Sequence, residues 1–175
     1  MNLILIRHTK TIVPDGICYG QTDVLPGPEF LLDASKIKEK LTFIKPDIIF
    51  ASPLIRCTIL AEYCGFQRYK TDKRLMEYNF GKWEMKPWSQ ITGDYAEKWF
   101  NDFVHVSSPG GESFHQMLFR FSEFVEELKE TRHETVLCFT HSGIIRIAEV
   151  IFNATDINQV FKKVVDFGGI YNYKL

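Results

Sequence analysis

Leu3-Ile4-Leu5-Ile6-Arg7-His8-Thr9, near the start of the chain, is the stretch on which the fold turns. Four consecutive apolar residues are too few for a helix and fit a strand buried on both faces, as strands of helix-covered parallel sheets are. The run ends on Arg7 and His8, so this strand delivers a guanidinium and an imidazole to its own carboxyl end. Thr135-Val136-Leu137-Cys138-Phe139-Thr140 repeats the arrangement, and His141-Ser142-Gly143-Ile144-Ile145-Arg146 follows where a helix should begin. Two histidines at strand ends predict one shared site.

Between these strands the pattern alternates. A loop of turn formers, Pro14-Asp15-Gly16 and then Gly20-Gln21-Thr22-Asp23 through Pro26-Gly27-Pro28, leaves backbone N–H groups to face a ligand. Ile37, Leu41 and Ile44 predict a helix over 34–44, and Asp47 to Ala51 reads as a strand ended by Ser52-Pro53. Ser52 is expected to cap the next helix and Pro53 to open it, with Arg56 in the first turn and Gly65 as the stop. Tyr69 to Thr71 reads as a short strand. Residues 75–111, irregular and aromatic, are expected to leave the sheet and cover the substrate. Phe114, Met117, Phe121, Phe124 and Leu128 keep helical spacing over 113–129. A helix over 142–152 and a closing segment at 169–174 complete the series. The alternation predicts an α/β fold, a three-layer α/β/α sandwich on a mostly parallel sheet, in one domain over 1–175, with ligands beyond the carboxyl ends of the strands.

The chain has 175 residues, a size suited to one hydrophobic core, with 45% hydrophobic and 25% charged residues. A formal net charge of −1 gives no general attraction to nucleic acid or acidic membranes, so anion binding must be local. The apolar run at 3–6 is too short for a signal peptide or a membrane helix, and a cytoplasmic protein is expected. Cys18, Cys57, Cys64 and Cys138 form no close pair and read as reduced thiols. Cys138 stands too far from Arg146 for the short loop of a cysteine phosphatase.

Two arginines and two histidines converging with loop and helix-start amides describe a site for a dianion, because guanidinium groups fork onto phosphate oxygens and helix N-termini offer unpaired donors. Glu77 is the candidate general acid for a leaving alkoxide.

These motifs resemble the histidine phosphatase superfamily, the group that includes cofactor-dependent phosphoglycerate mutases. Arg7-His8-Thr9 is similar to its Arg-His-Gly signature, and Ser52-Pro53-Leu54-Ile55-Arg56-Cys57 to its second arginine motif. Glu77 through Phe80-Gly81-Lys82-Trp83-Glu84 is similar to its acid loop, and His141 through Arg146 to its second histidine motif. Gly16 through Val24 and Gly110-Gly111-Glu112-Ser113 further resemble alpha-ribazole phosphatases of cobalamin assembly. The resemblance implies a phosphoglycerate mutase-like fold and a phosphomonoesterase that needs no metal or other cofactor. His8 would be the nucleophile, Glu77 the acid and then the base, and Arg7, Arg56 and His141 the holders of the equatorial oxygens. Thr9, Gly20, Gln21 and Ser142 would add phosphate contacts. The partner is a small phosphorylated metabolite, with alpha-ribazole 5′-phosphate favoured.

The sequence departs from the pattern at Thr9 for glycine, Pro14 for a phosphate-binding asparagine, Leu60 for threonine and Met85 for glycine. The first two touch the expected pocket; Thr9 can offer a hydroxyl, and the amides near Gly20-Gln21 can stand in for the asparagine. The rival readings are a phosphoglycerate mutase, a phosphatase of broad specificity, and a non-catalytic phosphate-binding protein.

Overall fold

The computed structural model describes residues 1–175. Five strands, β1 (Asn2–Arg7), β2 (Ile48–Ala51), β3 (Lys70–Thr71), β4 (Thr135–Thr140) and β5 (Ile170–Lys174), form one sheet in the order β3-β2-β4-β1-β5. β1, β2, β3 and β4 are parallel, and β5 runs antiparallel along the outer edge of β1.

The apolar run of β1 is buried on both sides. Leu3 and Leu5 enter one core with Val136 and Cys138 of β4, while Ile4 and Ile6 enter the other with Leu137 and Phe139. Strict alternation inside an unbroken apolar run is what two covered faces require. Helices α1 (Phe30–Leu41) and α2 (Ile55–Tyr63) close the smaller core with Ala34, Ile37, Leu41, Leu60 and Ala61. On the opposite face, α4 (Phe114–Lys129) and α5 (Ser142–Asn153) close the larger one. α4 is fixed at its start by a reciprocal cap: the Ser113 hydroxyl accepts the Gln116 N–H (3.2 Å) while the Gln116 side chain accepts the Ser113 N–H (2.8 Å). Such a cap contributes about 1 kcal/mol.

Residues 75–111 contain short 3-10 turns and one helix, α3 (Asp94–Asn101), and they extend the larger core through Leu75, Tyr78, Trp83 and Trp99. Met85 lies in this segment with φ 65°, the left-handed region that glycine adopts at least cost. No helix is long and apolar enough to cross a membrane.

Two expectations about helix starts are corrected. α1 begins at Phe30 and ends at Leu41, earlier than the apolar spacing indicates, because Leu31 and Leu32 in its first turn are exposed and break the periodicity. α2 begins at Ile55 after Leu54, and Ser52 does not cap it. Asp23, from the preceding loop, accepts the Ile55 N–H instead (2.7 Å).

Candidate active site

Strand register brings three chain segments to one level. Arg7 pairs with Thr140, and the next residue, His8, donates its N–H to the Thr140 carbonyl (3.1 Å). Ser52 N–H likewise donates to the Phe139 carbonyl (2.9 Å). The side chains that follow the strand ends therefore meet. The His8 and His141 ring centroids are 5.1 Å apart, and His141 Nε2 lies 2.7 Å from the Ser52 hydroxyl. His8 is 2% exposed, and Ser52, Arg56 and His141 are fully buried.

His8 is held in one tautomer. Its Nδ1 lies 2.7 Å from the Thr9 carbonyl, which can only accept, so the proton sits on Nδ1 and the lone pair on Nε2. Burial, reinforced by the positive charges of Arg56 and Arg7, pushes the imidazole well below the usual histidine range, and the Thr9 contact only partly opposes this. Burial acts on His141 in the same direction, together with Arg56 and the neighbouring His8. Both rings are neutral at neutral pH. Burial also pushes the Cys57 thiol, 3.5 Å from His141 Nε2, up to about 12. All four cysteines are buried free thiols.

A cavity of about 150 Å³ opens over His8, with Arg7, Glu77, Ser142 and Arg146 on its polar side and aromatic rings opposite. Glu77 is seated on the N-terminus of α5. Its Oε1 accepts the N–H groups of Tyr78 (2.9 Å) and Gly143 (3.0 Å), and its Oε2 accepts the Ser142 hydroxyl (3.1 Å). Gly143 has to be glycine for this seat, since a Cβ there would collide with the Glu77 carboxylate.

Of the residues expected at the site, Arg7, His8, Glu77 and Ser142 line the cavity, and Arg56, His141 and Thr9 form a buried layer beside them. Arg7 donates to the Val165 carbonyl and lies 3.6 Å above the Phe167 ring centroid. Arg146 also lines the cavity; burial lowers its pKa from the usual arginine value, against the opposing pull of Glu77. The buried side-chain polar atoms without a protein partner are Arg7 Nε, Thr9 Oγ1, Arg56 Nε and Arg146 Nε. Every one belongs to this site. Buried orphan donors are costly, and those of Arg7 and Arg146 belong to guanidinium groups on the cavity wall, whose chemistry suits an oxyanion.

The expectation for Gly20 and Gln21 is corrected. The Gln21 N–H, expected to face phosphate, donates to Glu84 Oε1 (2.9 Å), and its side-chain amide donates to the Glu77 carbonyl (3.0 Å). The Gly20 carbonyl accepts from the Arg56 guanidinium (2.6 Å), as does that of Thr22 (3.0 Å). A Cβ on Gly20 would run into the Tyr78 carbonyl, so glycine serves close packing here. The loop holds Arg56 and the Glu77 segment; the Gln21 N–H is committed to Glu84, and neither Gly20 nor Gln21 lines the cavity. Pro14 is exposed and does not line the cavity.

Three supporting groups escape the sequence reading. Glu84 braces the loop, accepting from the N–H groups of Gln21, Thr22 (2.5 Å) and Phe80 (3.1 Å). Arg120 pairs with Glu112 through two contacts, of 2.8 and 3.0 Å, and donates to the carbonyls of Arg74 (2.6 Å) and Glu77 (3.1 Å), which fixes the backbone that carries Glu77. Ser52 orients His141. Glu84, Ser52 and Glu112 each stand within a motif that the sequence marks, though not for these contacts, whereas nothing in the sequence singles out Arg120.

The family model described as the histidine phosphatase superfamily (branch 1) matches residues 3–172. Phosphoserine phosphatase 1 of Hydrogenobacter thermophilus is 26% identical over 169 residues, covering 91% of this chain and 79% of that protein. Among solved structures, the alpha-ribazole phosphatase of Shigella flexneri superposes with a TM-score of 0.89 at 23% identity, over 98% of this chain and 89% of that one. The phosphoserine phosphatase of Entamoeba histolytica, in complex with 3-phosphoglyceric acid, superposes with a TM-score of 0.83 at 25% identity, over 98% and 89%. The chain belongs to branch 1 of the histidine phosphatase superfamily and is a phosphoric monoester hydrolase.

Proposed function

We propose that this hydrolase acts on a small phosphorylated metabolite through a phosphorylated His8, and that the substrate is alpha-ribazole 5′-phosphate. The observation that carries the mechanism is the neutral imidazole of His8, anchored at Nδ1, with Nε2 as its lone-pair nitrogen, under the positive charges of Arg56 and Arg7. His8 Nε2 attacks phosphorus; the N–P bond forms as the bond from phosphorus to the alcohol oxygen breaks, and Glu77 hands its proton to the departing oxygen. Water then attacks phosphorus, Glu77 takes its proton, and the N–P bond breaks to release phosphate.

The seat of Glu77 supports one oxygen for this traffic. Oε1 faces two backbone N–H groups, which cannot accept a proton, whereas the Ser142 hydroxyl at Oε2 can reverse and accept. The acid proton therefore travels on Oε2. Arg7, Arg56 and His141, with the Thr9 hydroxyl, would hold the equatorial oxygens and stabilise charge where the transition state spreads it.

The aromatic side of the cavity, with Tyr19 and Trp88, supports an alcohol that carries a ring, as alpha-ribazole does. Arg146 favours a second reading, phosphoserine, whose carboxylate would pair with the guanidinium. The test is phosphate release without added metal from alpha-ribazole 5′-phosphate, phosphoserine and 3-phosphoglycerate, by wild type and His8→Ala, with trapping of an acid-labile phosphoenzyme. The expected result is a preference for the ribazole ester, abolished in His8→Ala. Turnover that survives in His8→Ala refutes the mechanism, and a preference for phosphoserine moves the substrate to the second reading.

A further inference from the structure

Phe167 is an aromatic side chain whose place no hydrophobic core explains. It is 40% exposed, belongs to neither core, and lies in the segment that joins α5 to β5. Backbone bonds tie this segment to the end of β1: the Gly168 N–H donates to the His8 carbonyl (3.2 Å), and the Arg7 backbone N–H donates to the Gly169 carbonyl (3.0 Å). Gly168 turns the chain there with φ 69°, a conformation that favours glycine. The Phe167 ring is thereby laid against two groups of the site. Its centroid is 3.6 Å from the Arg7 guanidinium carbon and 5.7 Å from the centre of the His8 ring.

At 3.6 Å the guanidinium has to lie flat on the ring, because an edge-on group would drive a nitrogen into the ring face. All side-chain N–H groups of arginine lie in the guanidinium plane, so a ring on its face uses none of them. The Val165 carbonyl, two residues before Phe167, takes Nη1, and Nη1 alone has a protein acceptor. The other edge, Nε with Nη2, is left open, and its Nε is buried. That edge is a parallel pair of donors of the kind that holds two oxygens of a phosphate. Burial strips water from Arg7 and lowers its pKa from the usual arginine value, and a ring face is a partner that a desolvated cation takes without surrendering a donor.

We propose that Phe167 is a positioning residue for the hydrolysis: stacked on Arg7, it fixes the plane of the guanidinium so that the Nε–Nη2 edge meets two oxygens of the substrate phosphate. The inference rests on the reading of Arg7 as a holder of the equatorial oxygens, and it adds the group that aims it. Phe167 does not line the catalytic cavity, so its effect on the anion passes through Arg7.

The probes are inorganic phosphate, titrated calorimetrically, and 4-nitrophenyl phosphate as substrate. The proteins are the wild type, Phe167→Leu, Phe167→Tyr, Arg7→Lys, and Arg7→Lys combined with Phe167→Leu. Leucine keeps an apolar side chain without the ring, and tyrosine keeps the ring. Phe167→Leu should weaken phosphate binding about fivefold, the size of one cation–π contact, and lower kcat by at least as much, whereas Phe167→Tyr should stay within about twofold of the wild type in both. In the Arg7→Lys protein, whose ammonium has no plane for a ring to fix, Phe167→Leu should change phosphate affinity by less than about twofold. Wild-type phosphate affinity in Phe167→Leu, an equal loss in the Arg7→Lys background, or a Phe167→Tyr protein as impaired as Phe167→Leu overturns the inference. Phosphate affinity unchanged in Arg7→Lys alone refutes Arg7 as an oxygen holder and the inference with it, and that failure is told apart because it appears with Phe167 intact.

Discussion

Mild acid should destabilise the fold through two residues of the site. His8 and His141 are sealed from solvent, and burial next to Arg56 holds both imidazoles well below the usual histidine range. In the unfolded chain both titrate near pH 6.5. Below that pH the unfolded chain binds protons that the folded one refuses, so the stability these rings contribute is complete above about pH 6.5 and is lost as the pH falls towards their folded values. Each ring that stays neutral removes about 1.4 kcal/mol per pH unit, so the pair removes about 2.8 kcal/mol per unit. That is a large share of the roughly 5–15 kcal/mol by which domains are stable. Asp47, held below the usual carboxylate range by the Thr135 and Glu134 amides, and Asp102, held down by His105, act in the same direction but only below about pH 4. Urea unfolding followed by tryptophan fluorescence, in phosphate-free buffer between about pH 7 and pH 5.5, isolates the histidines. Phosphate must be absent because a bound dianion would favour the imidazolium. His8→Asn and His141→Asn should each halve the slope below pH 6.5. A stability that is flat across this window, or a slope that neither variant changes, would refute the argument.

Two further outcomes follow, one from the support of Glu77 and one from the segment that continues it. Arg120→Gln removes the Glu112 pair and the support of the Arg74 and Glu77 carbonyls; with the two side chains 17% and 14% exposed, it should cost about 2–3 kcal/mol in urea unfolding. It should also lower kcat on an aryl phosphate about tenfold with little change in KM, because it shifts the acid and leaves the anion site; an unchanged kcat would deny Arg120 a positioning role. Met85→Gly relieves a left-handed residue that is 49% exposed and should raise stability by about 1 kcal/mol, read as a higher urea midpoint, whereas a lower midpoint would show that the Met85 side chain contributes more than its backbone costs.

What the sequence discloses and what it hides divide along a physical line. β1 and β4 are legible because two covered faces force an unbroken apolar run, and α4 because one buried face forces the 3.6 period. Arg7, His8 and His141 are legible because they follow those strands directly. The misread residues carry polar groups to which a nearby partner is assigned. Ser52 has the residue type and position of a helix cap, yet its hydroxyl goes to His141, 89 residues away. The Gln21 amide has the setting of a phosphate donor, yet it goes to Glu84, 63 residues away. The placement of Ser52 can be reasoned out. An N–H at the start of α2 lies where water or the Asp23 carboxylate can satisfy it, whereas the His141 ring is fully buried and would cost about 1–3 kcal/mol if left unpaired. The Ser52 hydroxyl sits against the buried ring, and the one N–H of this turn that it accepts is that of Leu54 (3.4 Å), short of the helix. Polar side chains flanking strand ends in a site of this kind are therefore better assigned by asking which buried group across the sheet lacks a partner than by asking what their neighbours in the chain would accept.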